Sequence, residues 1–253
     1  MENVKMPESF AVEIKNLSFA YGKDTALKNV SLKIRSGERF GIIGPSGAGK
    51  STLLLHLNGI LSGDGEVKID GLAVTKESLP KIRRKVGLVF QNPDDQLFNP
   101  TVEEDVAFGP LNLGLSREEA GKRVRETLKQ MNLEGFETKA SHHLSYGEQK
   151  RVALATVLAM QPEVVAFDEP FSNLDPAMVK HLIEIIESLE ATVILVSQQI
   201  LPVMASCHRL AILKDGQVIR VGTPAELAAE KGLLKECGLD VGFFCSICKK
   251  LDL

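Results

Sequence analysis

Hydrophobic and polar residues alternate along the first part of the chain. Apolar side chains occupy positions 10, 12 and 14, and the alternation returns at positions 30, 32 and 34. A period of two is typical of strands that bury one face, and it favours antiparallel pairing. The segment Gly65–Gly71 predicts another short strand between glycine turns. The N-terminal part therefore predicts a small antiparallel sheet.

Four further segments are almost wholly apolar and have the length of a strand. They are Arg39–Ile43, Val86–Phe90, Val164–Phe167 and Thr192–Val196. Such strands are typically buried on both faces, as in a parallel sheet. Helical patterns separate several of them, and Asp175 with Pro176 supplies a helix cap followed by an N1 proline. This alternation predicts an α/β fold with a mostly parallel core sheet.

Between positions 101 and 160 the pattern becomes helical and rich in charge. Three Ser/Thr-x-x-Glu boxes lie in it: Thr101 with Glu104, Ser116 with Glu119, and Ser145 with Glu148. Each box satisfies backbone N–H groups at a helix start, so three helices are predicted. We expect a single domain over 1–253. Segments 1–100 and 161–221 form its core and the antiparallel subdomain, 101–160 is an inserted helical subdomain, and 222–253 is a short C-terminal extension.

The composition limits the functions to consider. Of 253 residues, 44% are hydrophobic and 25% are charged, which suits a globular domain with a sizeable core. The net charge of −3 does not favour nucleic acid or an anionic membrane surface as a partner. No apolar run approaches the roughly 18 residues of a spanning helix, and no signal-peptide core follows Met1. We expect a cytoplasmic protein that contacts a membrane through a partner.

The cysteines give little support for a metal or redox site. Cys245 and Cys248 form one C-x-x-C pair, but a zinc site needs a second pair of ligands, and only Cys237 stands nearby. A redox pair is expected at a helix start within a βαβ unit, not in a tail. Free thiols are the simpler interpretation, and it extends to Cys207.

The most informative motif follows the apolar run that ends at Ile43. It fits the pattern G-x-x-x-x-G-K-[ST] and comprises Gly44, Pro45, Ser46, Gly47, Ala48, Gly49, Lys50, Ser51 and Thr52. A strand–loop–helix unit points backbone N–H groups and a helix N-terminus at one spot, which suits a triphosphate. Lys50 would reach the β- and γ-phosphates, and the Ser51 hydroxyl would be a ligand of Mg²⁺. The motif predicts a nucleotide-binding site.

Two acidic residues, Asp168 and Glu169, follow the apolar run that ends at Phe167. They are therefore expected at the carboxyl end of a strand, where α/β sheets bind ligands. Phosphoryl transfer needs a metal anchor and a group that orients the attacking water. Asp168 suits the Mg²⁺ shell, and Glu169 suits the catalytic base.

The segment Leu144–Gln149, Leu-Ser-Tyr-Gly-Glu-Gln, lies upstream of that acidic pair. On its own it is a helix cap. Together with the phosphate-binding loop and the acidic pair, it resembles the signature motif of ATP-binding-cassette (ABC) ATPases, usually LSGGQ or LSGGE. The resemblance implies that three residues contact ATP held by a second subunit: Ser145, Gly147 and Glu148. Tyr146 replaces the first glycine of the motif.

The resemblance covers nearly the whole chain and implies further roles. Tyr21 would stack on adenine, and Gln91 would touch Mg²⁺ and sense the membrane partner. The implied metal ligands are Ser51, Gln91 and Asp168. The segment Asn173–Asp175 is similar to the loop that crosses the dimer interface. Two segments, Gln91–Phe98 and Thr101–Gly109, resemble the energy-coupling-factor branch, which includes the ATPases of cobalt, nickel and vitamin importers.

One position departs from the family pattern. After the run Thr192–Val196 the family places Thr or Ser, then His, then Asp or Glu, whereas this chain has Ser197, Gln198 and Gln199. The amide of Gln198 can donate a hydrogen bond in the catalytic site, but it does not titrate near neutral pH. The departure bears on the rate of hydrolysis and leaves ATP binding unaffected.

The resemblance implies an ATP-hydrolysing subunit that uses Mg²⁺ and powers a membrane importer. It would pair with a second ATPase subunit, identical or paralogous, and with a transmembrane coupling subunit at the inner face of the membrane. An alternative is an ATP-gated dimerisation module with weak hydrolysis, paired with a catalytically complete paralogue. A soluble ABC protein that acts on DNA or the ribosome is less favoured, because such proteins usually carry tandem cassettes or long insertions.

Overall fold

The computed structural model describes residues 9–239, and Cys245 and Cys248 lie outside that range. The strands are β1 (Phe10–Tyr21), β2 (Asp24–Arg35), β3 (Arg39–Ile43), β4 (Asp64–Ile69), β5 (Leu72–Ala73), β6 (Val86–Val89), β7 (Val164–Asp168), β8 (Thr192–Ser197), β9 (Arg209–Lys214) and β10 (Gln217–Gly222). The helices are α1 (Lys50–Leu57), α2 (Leu79–Lys85), α3 (Val102–Asn112), α4 (Arg117–Gln130), α5 (Tyr146–Leu158), α6 (Pro176–Ser188), α7 (Ile200–Ser206), α8 (Pro224–Ala229) and α9 (Lys231–Glu236). Within residues 9–239, no helix is both long enough and apolar enough to cross a membrane.

The core is a six-stranded sheet in the order β10-β9-β3-β8-β7-β6. Its neighbours from β9 to β6 run parallel, and β10 pairs antiparallel with β9 at one edge. Arg39 pairs with Val193, so strands that are far apart in sequence meet at the centre. The prediction of an α/β fold with a mostly parallel sheet is confirmed. The carboxyl ends of β3, β7 and β8 lie at one edge of this sheet, where such sheets bind ligands.

A second sheet, in the order β2-β1-β4-β5, is antiparallel as the alternation predicted. Within β1 the register shifts between Ile14 and Leu17, and Asn16 between them has a φ of 52°. This bulge adds one residue, so the parity of the buried positions changes along the strand. Ile14 and Leu17 are both buried as a result. A strict period of two therefore describes only part of the strand.

The three capping boxes predicted for the helical segment are all present. The hydroxyls of Thr101, Ser116 and Ser145 accept from the N–H groups of Glu104, Glu119 and Glu148, at 3.3, 3.2 and 3.4 Å. Each glutamate side chain reaches back to the N–H of its capping residue. The boxes start α3, α4 and α5, which pack on one another beside the core sheet. Asp175 likewise caps α6 by accepting from the N–H of Met178 at 2.9 Å.

An apolar layer covers each face of the core sheet. Along β8, Val193 and Leu195 belong to the cluster that includes α4 and α5, whereas Ile194 and Val196 belong to the cluster that includes α1 and the antiparallel sheet. Successive side chains of a strand point to opposite faces, so β8 is buried on both. This explains why its sequence is apolar without alternation.

The hairpin of β9 and β10 is an element that the sequence patterns above did not predict. Lys214 pairs with Gln217, and the two residues between them, Asp215 and Gly216, have φ values of 49° and 77°. An Asp-Gly pair between strands is a strong signal for a two-residue hairpin turn, because both positions need a positive φ. That dipeptide was the available clue to the edge of the core sheet.

Candidate active site

The phosphate-binding loop connects the end of β3 to the start of α1. Gly49, just before α1, has a φ of 98°, and a Cβ at this position would collide with the carbonyl oxygen of Ala26. A Cβ at Gly44 would collide with the carbonyl oxygen of Leu213. Glycine is required at both ends of the loop, because the chain passes too close to its neighbours for any side chain. The loop and the N-terminus of α1 therefore form a close backbone cradle, as the motif predicted.

Lys50 lies across this cradle. Its Nζ donates to the carbonyl oxygens of Gly44 at 2.9 Å and Pro45 at 3.0 Å, and lies 3.8 Å from Oε1 of Glu169. Burial lowers the pKa of Lys50, and the carboxylates of Glu169 and Asp168 oppose that change. A cation held in this position suits phosphate oxygens at the mouth of the loop.

Ser51 and Asp168 come together from different elements. Ser51 Oγ, in the first turn of α1, donates to Oδ1 of Asp168 at the end of β7 over 2.9 Å. Burial raises the pKa of Asp168, although the hydrogen bond from Ser51 opposes the rise. A hydroxyl and a carboxylate that face each other beside a phosphate cradle are the oxygen ligands that Mg²⁺ prefers. These two residues of the predicted metal shell fit the ion.

Glu169 is held in an unusual backbone conformation. Its φ is 45°, in the left-handed region that a non-glycine residue rarely adopts. Its carboxylate accepts from Ser197 Oγ at 2.8 Å and from the N–H of Gln198 at 2.9 Å. These bonds fix a buried carboxylate at the end of the core sheet, next to Lys50. Such strain is concentrated at functional sites, where the surroundings hold it.

Gln198 reaches the phosphate-binding loop through its side chain. Its Oε1 accepts a hydrogen bond of 3.0 Å from Ser46 Oγ. The backbone N–H of the same residue bonds to Glu169, so Gln198 bridges the loop and the acidic pair. Both side chains of the bridge, Ser46 and Gln198, are exposed at the mouth of the cradle.

The signature residues lie apart from this cluster, at the start of α5. Ser145 Oγ donates to Oε2 of Glu148 at 2.7 Å, and Gly147 follows in the same turn. Among residues 9–239, no hydrogen bond is found between Ser145 and the phosphate-binding loop. Tyr146 is the first residue of α5, and its hydroxyl donates to the carbonyl oxygen of Gln91 at 3.3 Å. The tyrosine therefore ties the loop after β6 to α5.

Tyr21 lies at the turn between β1 and β2. Half of its surface, 51%, is exposed, and its ring packs edge-on against Phe19 at a centroid distance of 4.9 Å. Phe19 also contacts the ring of His56, which belongs to α1. An exposed aromatic ring with a rigid support suits stacking on a planar base.

Two residues outside the predicted set connect the site to the helical layer. Gln96 accepts from the N–H of Phe90 at 3.1 Å, and its Nε2 donates to Ala153 O at 2.6 Å and to Thr156 Oγ1 at 2.7 Å, both in α5. Asp105, in α3, is the second of these residues. Both lie in segments that were identified only as family-like motifs. Their side-chain contacts are tertiary, so no local pattern in the sequence indicates them.

Asp105 is a buried carboxylate in α3. Oδ1 accepts from the N–H groups of Phe98 and Asn99 at 3.1 and 2.9 Å, and Oδ2 accepts from Ser141 Oγ at 2.9 Å. Ser141 begins the turn that leads into α5. One side chain therefore fixes both the loop after Gln96 and the approach to the signature helix.

Comparisons with known proteins identify the family of this chain. The sequence profile of the ABC transporter family matches residues 27–172. The energy-coupling factor transporter ATP-binding protein EcfA of Methanothermobacter thermautotrophicus is 48% identical over 235 residues, which cover 90% of this chain and 76% of that protein. The protein of the same name from Methanocaldococcus jannaschii is 47% identical over 237 residues, which cover 91% of this chain and 85% of that protein.

Solved structures lead to the same family. CbiO1 from Clostridium perfringens, described as part of the ABC transporter complex CbiONQ, superposes with a TM-score of 0.81 at 35% identity, over 96% of this chain and 100% of that one. A dimeric cassette, MJ0796, bound to ADP and phosphate, superposes with a TM-score of 0.76 at 35% identity, over 84% of this chain and 98% of that one. The chain belongs to the ABC transporter family, in the group of energy-coupling factor transporter ATP-binding proteins.

Proposed function

We propose that the protein is the ATP-hydrolysing subunit of an energy-coupling-factor importer for a metal ion or a vitamin. The observation that carries the proposal is the convergence of Lys50, Asp168 and Glu169 on one phosphate-binding loop. A cation, a metal-binding carboxylate and a second buried carboxylate are the groups that hydrolysis of a nucleoside triphosphate needs. Family membership supports ATP as the nucleotide.

In the proposed reaction each group has one task. The loop 44–52 and Lys50 bind the phosphates. Ser51, Asp168 and Gln91 would hold Mg²⁺, which would supply positive charge to offset that of the phosphates. Glu169 accepts the proton of the attacking water, and Gln198 donates its amide to the γ-phosphate. Ser197 keeps the carboxylate of Glu169 oriented through its 2.8 Å hydrogen bond. Pre-positioned groups of this kind supply most of the catalysis in phosphoryl transfer.

The site as described lies in one subunit and lacks the signature residues. Ser145, Gly147 and Glu148 stand at an exposed helix start, away from the loop. We infer that a second subunit, a copy or a paralogue, supplies these residues to the γ-phosphate, and that Asn173–Asp175 lies at the interface. The solved relative that carries ADP and phosphate is a dimer, which supports this arrangement. Tyr21 would stack on the adenine.

A groove beside the Gln91 loop suits the transmembrane partner. It has a volume of about 620 Å³, and its lining includes Arg83, Leu88, Phe98, Phe108 and Met160. The side chains of Phe98 and Phe108 are 66% and 48% exposed and pack edge-to-face at 5.0 Å. An exposed aromatic pair in a groove is typical of a protein-binding surface. We infer that the subunit sits at the inner face of the membrane through this contact.

A second candidate function rests on Gln198. If glutamine is a poor substitute at this position, the protein is an ATP-gated dimerisation module with weak hydrolysis, paired with a catalytically complete paralogue. The hydrogen bond of Gln198 to Ser46 favours a role at the γ-phosphate instead. Gln198→His separates the two hypotheses. Unchanged turnover means that glutamine functions adequately at this position, whereas a large gain in turnover supports the dimerisation module with weak hydrolysis.

The proposal is tested with the full chain purified together with its native membrane partners. Mg²⁺-dependent release of phosphate from ATP is measured for the wild type, Glu169→Gln and Glu187→Gln. Glu187 lies on the exposed side of α6 and is the matched control. We expect Glu169→Gln to lose turnover by about 10²-fold or more while it still binds ATP. Equal turnover of the wild type and Glu169→Gln would contradict the proposed function.

A further inference from the structure

Lys150 makes an unusually complete set of contacts with the turn that follows β7. Its Nζ donates to the carbonyl oxygens of Glu169 at 3.1 Å, Pro170 at 3.2 Å and Ser172 at 2.8 Å, and lies 3.0 Å from Ser172 Oγ. An ammonium group has three donors, so four oxygens saturate it. The turn 169–172 is therefore wrapped around one cation.

This turn begins at one residue with a positive φ and is followed by another. Glu169 has a φ of 45° and Asn173, just beyond the turn, has a φ of 59°. Non-glycine residues keep such conformations only where the surroundings hold them. Within the turn, Ser172 Oγ donates to the carbonyl oxygen of Glu169 at 2.8 Å. Lys150 binds that same carbonyl oxygen from outside, and so it braces the strained residue directly.

The cation comes from the helix that carries the signature residues. Lys150 belongs to α5, which is capped by Ser145, so the helix start and the turn 169–172 are joined through one rigid element. The ring of Tyr146 lies 5.5 Å from Nζ on the same helix. The carboxylates of Asp168 and Glu169 are the charged groups that act on it from the sheet.

We propose that Lys150 is a positioning residue for ATP hydrolysis: its ammonium group holds the backbone of Glu169 and fixes that residue relative to the signature helix. The proposal rests on the proposed function, because it takes Glu169 as the catalytic base. Among residues 9–239, the hydrogen bonds of Lys150 Nζ go to the turn 169–172 and not to the phosphate-binding loop or to the carboxylate oxygens of Glu169. Its effect is therefore expected on the chemical step and not on ATP binding.

The surroundings of Lys150 allow a clean test. Its side chain borders an apolar cavity of about 30 Å³ whose lining includes Leu154, Phe167, Pro170 and Leu182. Burial lowers the pKa of Lys150 to about 8, which reflects the loss of water around the ammonium group. Methionine has a similar length and fits an apolar environment, so Lys150→Met removes the donors with little change in packing.

The experiment compares Lys150→Met, Lys150→Arg and Lys122→Met in the full chain with its native membrane partners. Lys122 lies on α4, is 73% exposed and is the matched control. We expect Lys150→Met to lower kcat by on the order of 10²-fold, with the KM for ATP unchanged, since a small misplacement of a catalytic group has effects of this size. Lys150→Arg keeps the charge and is expected to recover most of the turnover.

Wild-type kcat in Lys150→Met, or equal loss in Lys150→Met and Lys150→Arg, would overturn the proposal. If Lys150→Met does not fold, Lys150→Arg is compared with Lys150→Gln. Higher turnover in Lys150→Arg, which keeps the charge, than in Lys150→Gln then supports the proposal. Equal turnover of these two variants overturns it. Glu169→Gln in parallel separates the two hypotheses: if it is fully active, the proposed function itself fails, whatever the lysine variants do.

Discussion

Ser46 and Gln198 join the two loops of the active site by a hydrogen bond of 3.0 Å from the serine hydroxyl to the glutamine Oε1. The loop after β3 and the loop after β8 are brought together because these strands are neighbours in the core sheet. The contact places the amide of Gln198 directly at the mouth of the phosphate cradle.

Gln198→Ala tests this placement. Loss of a hydrogen-bond donor to the developing charge typically costs about 10²–10³ in kcat, and we expect a loss in that range with little change in the KM for ATP. Steady-state phosphate release measures both quantities. Glu187→Gln is the control, because Glu187 lies on the exposed side of α6. Equal losses in the two variants would count against a catalytic role for Gln198.

Gly49→Ala should destabilise the protein more than Gly114→Ala. Both residues have a strongly positive φ, 98° and 92°, which costs alanine about 1–2 kcal/mol. At Gly114 an added Cβ meets open space, whereas at Gly49 it collides with the carbonyl oxygen of Ala26. We expect this collision to add about 1–3 kcal/mol. Denaturant unfolding of the two variants measures the difference, and equal free energies of unfolding would contradict the close approach seen at Gly49.

Asp105→Ala should lower the free energy of unfolding by about 3 kcal/mol. The substitution leaves the N–H groups of Phe98 and Asn99 and the hydroxyl of Ser141 without their buried acceptor. Asp105→Asn keeps one acceptor oxygen, so a smaller loss is expected. Glu103→Ala, at an exposed position of the same helix, should stay within about 0.5 kcal/mol of the wild type. Chemical denaturation distinguishes these three values. If Asp105→Ala lowers the free energy of unfolding no more than Glu103→Ala does, the contacts of Asp105 are weak.

The thiol of Cys207 should resist alkylation in the folded protein. Burial raises the pKa of Cys207 to about 12, so at pH 8 only roughly one molecule in ten thousand carries the reactive thiolate. The side chain is also 6% exposed. Iodoacetamide labelling followed by peptide mass spectrometry should find Cys207 unmodified at pH 8 and modified only in denaturant. Rapid labelling without denaturant would mean that α7 opens readily.

The predictable part of the site was the part built from adjacent residues. The strand–loop–helix unit around Lys50 is continuous in sequence, so its pattern specified the fold of the segment. The position of the acidic pair at a strand end was equally predictable, because Asp168 ends an apolar strand. The contacts of Glu169 with Ser197 and Gln198 were not predictable, since they depend on β7 and β8 being neighbours. The same holds for the bond from Lys150 to the turn after β7.

The three capping boxes have a consequence for the order in which the chain folds. Helices α3, α4 and α5 carry their own start signals and contact one another along a short stretch of chain. The centre of the core sheet is different, because Arg39 in β3 pairs with Val193 in β8, and these two residues are far apart in the sequence. Local structure forms faster than structure that closes long loops. On a ribosome, the helical segment is therefore expected to assemble before the centre of the sheet that supports it.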